Sequence, residues 1–183
     1  MTNNKSIKLN AANILSLKKK IDKNITDFSH IIRDENVMSK KAKAAGQGSG
    51  YDLKALYNTI QQMREKRIML KGMIQYLNMG TTTFNKDDFK KTNYYAIFSA
   101  CEAKEDITLL KMIKTLNPQL KAQKGKKNIG STETFSKEKI AQLIHDQQLN
   151  ANKFDKMLAD FNTSAAIELD ENNADMFEKD ITA

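Results

Sequence analysis

The chain has 183 residues, among them 30 Lys/Arg, 22 Asp/Glu, one Cys, one Pro and seven Gly, and carries a formal charge of +8. That length suits one domain, or one domain with a small appendage, and lets a core form without staples. The single Cys101 excludes an intrachain disulfide and points to a reducing compartment, the cytosol by default; with a polar Met1–Asn10 and no run near the ~18 apolar residues of a membrane helix, neither secretion nor a membrane partner is expected.

Scarce helix breakers favour an all-α fold. From Asn10, a suitable N-cap, the apolar residues Ile14, Leu17, Ile21, Ile25, Phe28 and Ile32 recur every three or four positions, the period of one helix face, and the pattern fades near Val37 and Met38. The stretch Lys40 to Gly50, with Gly46, Gly48 and Gly50, reads as a loop. Asp52 then caps the clearest segment in the chain. Leu53, Leu56, Ile60, Met63, Arg67, Leu70, Ile74 and Leu77 alternate steps of three and four, a coiled-coil type seam interrupted only by Arg67, and Gly80 sits where a left-handed C-terminal residue belongs. Two apolar stripes of similar length, each some 40 Å long at ~1.5 Å per residue, bury each other most simply as a long antiparallel helical hairpin. The same seam also allows pairing of two chains, a homo-oligomer, with Tyr57 and Tyr76 expected to be exposed beside it.

A third helical stretch is expected to begin near Asp87 and to carry Phe89, Tyr94, Ile97, Phe98 and Cys101, then Leu109, Met112, Ile113 and Leu116. The polar run Glu102–Asp106 suggests a break inside it, and Asn117-Pro118 ends it. Residues 119–131, rich in lysine, read as a basic linker. Ser136 can cap a helix bearing Ile140, Leu143 and Ile144, and Phe154, Met157, Leu158 and Phe161 suggest a second, so that 132–162 reads as a small helical pair. The organisation is then 1–118 for hairpin and third segment, 119–131 for the linker, 132–162 for the pair and 163–183 for an acidic tail.

Little here suggests chemistry. His30 and His145 have no companions at ligand spacing, Cys101 lies on an apolar stripe as a buried small hydrophobe, and Gly46-Gln47-Gly48-Ser49-Gly50 lacks both the preceding strand and the Gly-Lys-Ser/Thr end of a phosphate loop. No catalytic residue, metal or other cofactor is implied, and the chain reads as a non-enzyme. Arg67, on the seam, is expected to meet a carboxylate from another segment or to fix register.

Charge is distributed unevenly. Residues 1–127 hold 25 Lys/Arg and 11 Asp/Glu, a balance of +14, whereas residues 128–183 hold 5 and 11, a balance of −6. The sequence therefore nominates Lys40, Lys41, Lys43 and Tyr51 at the hairpin tip, with Lys121, Lys124, Lys126 and Lys127 in the linker, as contacts for a partner or nucleic acid, and Asp170, Glu171 and Asp175 as the acidic tail's working residues. In size, in its lysine- and asparagine-rich make-up and in its lack of enzymatic motifs, the chain resembles small proteins that phages and mobile elements encode to assemble particles or inhibit host nucleases, anti-CRISPR proteins among them. That resemblance runs over the whole chain, rests on no single motif and transfers no residue. It implies a non-enzymatic helical interaction protein that inhibits or scaffolds a protein partner, one that processes nucleic acid for instance. The alternative is a sequence-nonspecific DNA- or RNA-binding protein whose acidic tail is autoinhibitory; deleting the residues after Asn162 should then tighten binding.

Overall fold

The computed structural model of the chain describes residues 8–39, 46, 50–116 and 131–166; the nominated Lys40, Lys41, Lys43, Lys121, Lys124, Lys126 and Lys127, and Asp170, Glu171 and Asp175, lie outside them. Five helices and one two-stranded ribbon make up the described residues, an all-α fold apart from that ribbon. Helix α1 is Ala11–Glu35, capped by the Asn10 side chain on Asn13 N–H. Helix α2 is Leu53–Asn78, capped by Asp52 on the N–H groups of Lys54 and Ala55. At its far end Gly80 takes φ 75° and Thr81 N–H closes back on Tyr76 O at 2.9 Å, the left-handed ending that glycine makes inexpensive.

α1 and α2 pack along each other. Asp22 meets Arg67 and Phe28 meets Tyr51, so positions rise along one helix as they fall along the other, which makes the pair antiparallel. Of the α1 stripe, Ile14, Ile25 and Ile32 are buried and Ile21 and Phe28 are partly so, but Leu17 stays exposed. Helix α2 is buried on a second side as well. Tyr57, Arg64, Ile68 and Gly72 are all sequestered there, which corrects the expectation that Tyr57 is exposed; Tyr76 is half-buried against Phe84 and Phe89. Neither tyrosine is a free surface for pairing chains.

The third stretch is interrupted earlier than its polar run suggests. A short helix α3, Lys86–Phe89, is capped by Asn85, and helix α4, Asn93–Met112, starts anew from Thr92 and continues unbroken through Glu102–Asp106. Glu102 and Asp106 look like part of a solvated break in sequence but are buried, because they face cations on α2 rather than water, while Glu105 stays exposed. Cys101 is exposed, not buried. The buried residues of α4 form two adjacent arcs, Ala96, Ala100, Ala103, Ile107 and Leu110 on one and Ser99, Glu102, Asp106 and Leu109 on the other, and Cys101 falls outside both.

Helix α5 is a single helix, Lys137–Ser164, where a pair was expected. Its inward residues Ile140, Ile144, Gln147, Ala151, Phe154 and Leu158 keep steps of four and three throughout; the middle of the stripe is Gln147 and Ala151, too polar or small to register as hydrophobic. Small Ala151 opposite the alanine arc of α4 lets α4 and α5 pack closely.

Three segments meet at Asn36. Its side-chain Nδ2 donates to Lys114 O at 2.7 Å and to Phe135 O at 2.9 Å, while Oδ1 accepts from Phe135 N–H at 2.7 Å and Thr134 N–H at 3.2 Å. Strands β1 (Val37–Ser39) and β2 (Ser131–Glu133) then pair antiparallel with Met38 opposite Thr132, joining the end of α1 to the approach to α5.

Gly72 is the one helical glycine that packing demands. A Cβ there would lie 2.4 Å from the Phe89 ring, which is fully buried and edge-on to Tyr76 and Tyr95. Gly72→Ala is therefore expected to lower the unfolding midpoint in urea, with overpacking of ~1–3 kcal/mol outweighing the ~1 kcal/mol that alanine gains in a helix. In a Phe89→Leu background, where the ring atoms are gone, the same change should raise the midpoint. An increase in the wild-type background would show that the ring is not fixed over Gly72.

Candidate functional site

The polar interior between α2 and α4 is built from Arg64, Arg67 and Lys71 on one helix and Glu102, Glu105 and Asp106 on the other. Steps of three and four residues hold each set on one face of its helix. Arg67 Nε donates to Glu102 Oε1 at 2.7 Å, its Nη1 reaches Asp22 of α1 at 3.1 Å, and its Nη2 contacts both Glu102 and Glu105. The seam arginine thus meets carboxylates from two other helices. Arg64 Nη1 donates to Glu102 O and Oε2, each at 3.2 Å, and Nη2 lies 3.6 Å from Asp106 Oδ1. Lys71 closes on Glu102 at 3.1 Å and sits over the Phe98 ring. Arg64, Arg67, Glu102 and Asp106 are each at most 8% exposed and sum to zero charge, so the pairing offsets the desolvation that isolated charges would suffer.

Asp106 is the hub of a second group. Tyr57 OH donates to its Oδ2 at 2.6 Å and Gln61 Nε2 donates to the same oxygen at 3.1 Å, with Gln147 of α5 also bonded to Tyr57. Burial pushes the Asp106 carboxyl above its ordinary value, only partly opposed by Tyr57, Arg64 and Gln61. Burial and the Asp106 charge push the Tyr57 hydroxyl up. For Glu102 burial acts in the same upward sense, but the Arg67 hydrogen bonds and charge, with Lys71, outweigh it and hold the carboxyl below its usual range; Asp22 is likewise held low by Lys18 and Arg67 against burial. These groups are committed to one another. Among the described residues no set of three His, Cys, Asp or Glu is arranged to hold a metal.

Above this layer lies an open groove. α1 and α4 flank α2 and scarcely touch each other, leaving a cleft of about 330 Å³ walled by Ile25, Thr26, Ser29, His30 and Arg33 on one side and Glu105, Thr108, Leu109 and Met112 on the other, with Arg64 and Arg67 lining it between them. A separate shallow depression farther along α1 is lined by Leu15, Ser16, Lys18, Lys19 and Asp22. Leu15 in that depression and Met112 on the groove wall are both exposed, at 53% and 55%. Cys101 shares the helix face of Glu105, Thr108 and Met112, four, seven and eleven residues before them. No helix of the described residues is long and apolar enough to cross a membrane.

Of the residues nominated from sequence, only Tyr51 is described. It is exposed at the entry to α2 and its ring packs 6.2 Å from that of Phe28, which places it on the hairpin rather than in the groove. The groove itself escapes a reading of hydrophobic stripes, because its residues come from three helices and most of them are polar or charged. The i, i+3 arginines Arg64 and Arg67 facing the i, i+4 acids Glu102 and Asp106 are the signal that could have located it. No protein-family model, curated protein or solved structure matches the chain.

Proposed function

We propose that the chain is a non-enzymatic interaction protein that accepts a segment of a protein partner in the groove between α1 and α4, and so inhibits or scaffolds that partner. The observation that carries this reading is the pairing of a two-walled groove with an arginine layer whose charges are already matched. The cleft offers apolar contact at Ile25, Leu109 and Met112, continued by Leu15 in the depression farther along α1, and hydrogen-bonding groups at Thr26, Ser29 and Thr108, the composition of a site that receives a helix or an extended strand. The buried arginines and acids beneath it are tied to each other rather than presented to a substrate, which supports binding over catalysis.

Cys101, the chain's single cysteine, supplies a reporter on the α4 wall. A partner recovered from lysate at moderate salt should slow alkylation of Cys101, and a Leu15→Glu, Met112→Glu variant with unchanged helicity should lose that partner. Recovery of the same partner by the variant, with Cys101 equally reactive in the free and bound protein, would refute the groove. A second reading, attachment to the phosphates of DNA or RNA, draws support from a separate groove lined by Lys66, Lys86 and Lys90.

A further inference from the structure

The second groove is formed where the outer face of α2 meets α3 and the start of α4. It has a volume of about 390 Å³ and is lined by Gln62, Glu65, Lys66, Ile68, Met69, Lys86, Lys90 and Tyr95. Among the described residues, none of the three lysines is paired with a carboxylate, which is the case for most lysines of the fold, so charge alone does not distinguish this surface. Its apolar lining, Ile68 and Met69 beside the Tyr95 ring, gives it a use for side chains that a purely ionic surface lacks. A groove of this kind suits an anionic ligand that brings apolar groups with it.

The chain contains such a ligand. Residues 167–183 hold six acids, Glu168, Asp170, Glu171, Asp175, Glu178 and Asp180, against one lysine, together with Ile167, Leu169, Met176, Phe177 and Ile181. Nucleic acid would match the lysines, whereas the segment offers carboxylates together with branched and aromatic side chains for Ile68 and Met69. Reach is sufficient. Tyr95, on the groove wall, packs 5.8 Å from Phe154 of α5, and α5 ends ten residues later at Ser164, ~15 Å further along the helix. Residues 167–183, seventeen in all, can span roughly 55 Å when extended.

We propose that this groove is the docking site of the chain's own C-terminal segment 167–183, whose carboxylates meet Lys66, Lys86 and Lys90 and whose apolar side chains cover Ile68 and Met69. This occupant belongs to a different surface from the α1–α4 groove, so the two proposals succeed or fail separately. Docking in the same molecule raises the local concentration of the segment, so weak individual contacts suffice, and added salt weakens them.

Zero-length carbodiimide cross-linking of the full-length protein, read by mass spectrometry of the monomer, tests the assignment. The exposed Lys104–Asp155 pair, 3.0 Å apart, supplies the internal control. Lys66 is expected to couple to acids of 168–180, and that coupling is expected to be lost when the neighbouring lysines are reversed in a Lys86→Glu, Lys90→Glu variant, while Lys104–Asp155 is unaffected. Absence of Lys66 products alongside a normal control, their persistence in the variant, or their restriction to cross-linked dimers would each overturn the proposal, the last in favour of a second copy. If a short DNA duplex binds the wild-type groove at physiological salt as tightly as it binds an Asp170→Lys, Glu171→Lys, Asp175→Lys variant, the segment does not occupy it.

Discussion

Glu102→Gln is expected to lower the stability of the fold by about 3–5 kcal/mol, the usual consequence of removing one partner from a buried ion pair. The carboxylate is 4% exposed and receives bonds from Arg64, Arg67 and Lys71. Its neutral substitute leaves two nearly buried guanidinium groups dependent on Asp22, Glu105 and Asp106, of which Asp22 and Glu105 are partly exposed. A Glu102→Leu, Arg67→Met double variant removes both ends of the closest pair and keeps Arg64 beside Asp106. Its loss should be well below the sum of the two single losses, a coupling that equilibrium urea unfolding measures directly. Strict additivity would mean that the pair is electrostatically irrelevant.

The same residue predicts a pH dependence with a definite sign. The Glu102 and Asp22 carboxyls are held below their ordinary values in the fold, so their contribution is complete above the ordinary carboxylate range and disappears as pH falls through the lowered folded values. The difference in stability between wild type and Glu102→Gln should accordingly be largest at neutral pH and shrink below pH ~4. Asp106 acts in the opposite direction. Its folded carboxyl is raised, so ionisation disfavours folding at neutral pH and mild acid relieves that strain before the other acids protonate. Asp106→Asn should remove that acid gain, leaving unfolding midpoints that only decline from pH 7 downwards; a mild-acid rise that survives in this variant would assign the effect elsewhere.

What could be read from sequence follows from where the stabilising contacts lie. The caps at Asn10, Asp52 and Ser136 act within three residues, and the α2 seam repeats locally, so helix type and the limits of α2 could be read directly. Features depending on distant partners could not. Glu102 and Asp106 resemble a solvated stretch until Arg64 and Arg67 are brought opposite them, 35 to 42 positions away along the chain. Hydropathy counts such charges as surface whether or not they are neutralised inside. The α5 stripe failed for a related reason, since Gln147 and Ala151 keep its period without contributing hydrophobicity. The candidate grooves are further removed still, being spaces between elements rather than properties of any one of them. The nominated lysine clusters and acidic tail residues lie almost wholly outside the described residues.

Asn36 is the residue whose loss should have the second largest effect, and its identity is invisible locally because its partners are 78 and 99 positions away. It is 1% exposed and uses both side-chain ends, accepting from Phe135 N–H while donating to the carbonyls of Lys114 and Phe135. In Asn36→Ala those three backbone groups lose a partner in a place that a methyl group does not hydrate. At ~1–3 kcal/mol for each unsatisfied buried group, a loss of roughly 3 kcal/mol or more is expected. Thr134 N–H keeps its bond to Asn36 O, so β1 and β2 remain paired but lose the clamp that sets them against the end of α4. Asn36→Asp sharpens the test: it is nearly isosteric and keeps the acceptor for Phe135 N–H, yet it turns a double donor into a charge facing two carbonyl oxygens. It should therefore destabilise at neutral pH at least as much as alanine and recover on acidification, when the carboxyl gains a proton to donate. In both variants amide exchange should accelerate first at Phe135 and around the ribbon. Wild-type exchange there, with stability intact, would show that the three segments are held by apolar packing around Ile32, Ile113 and Phe135 instead.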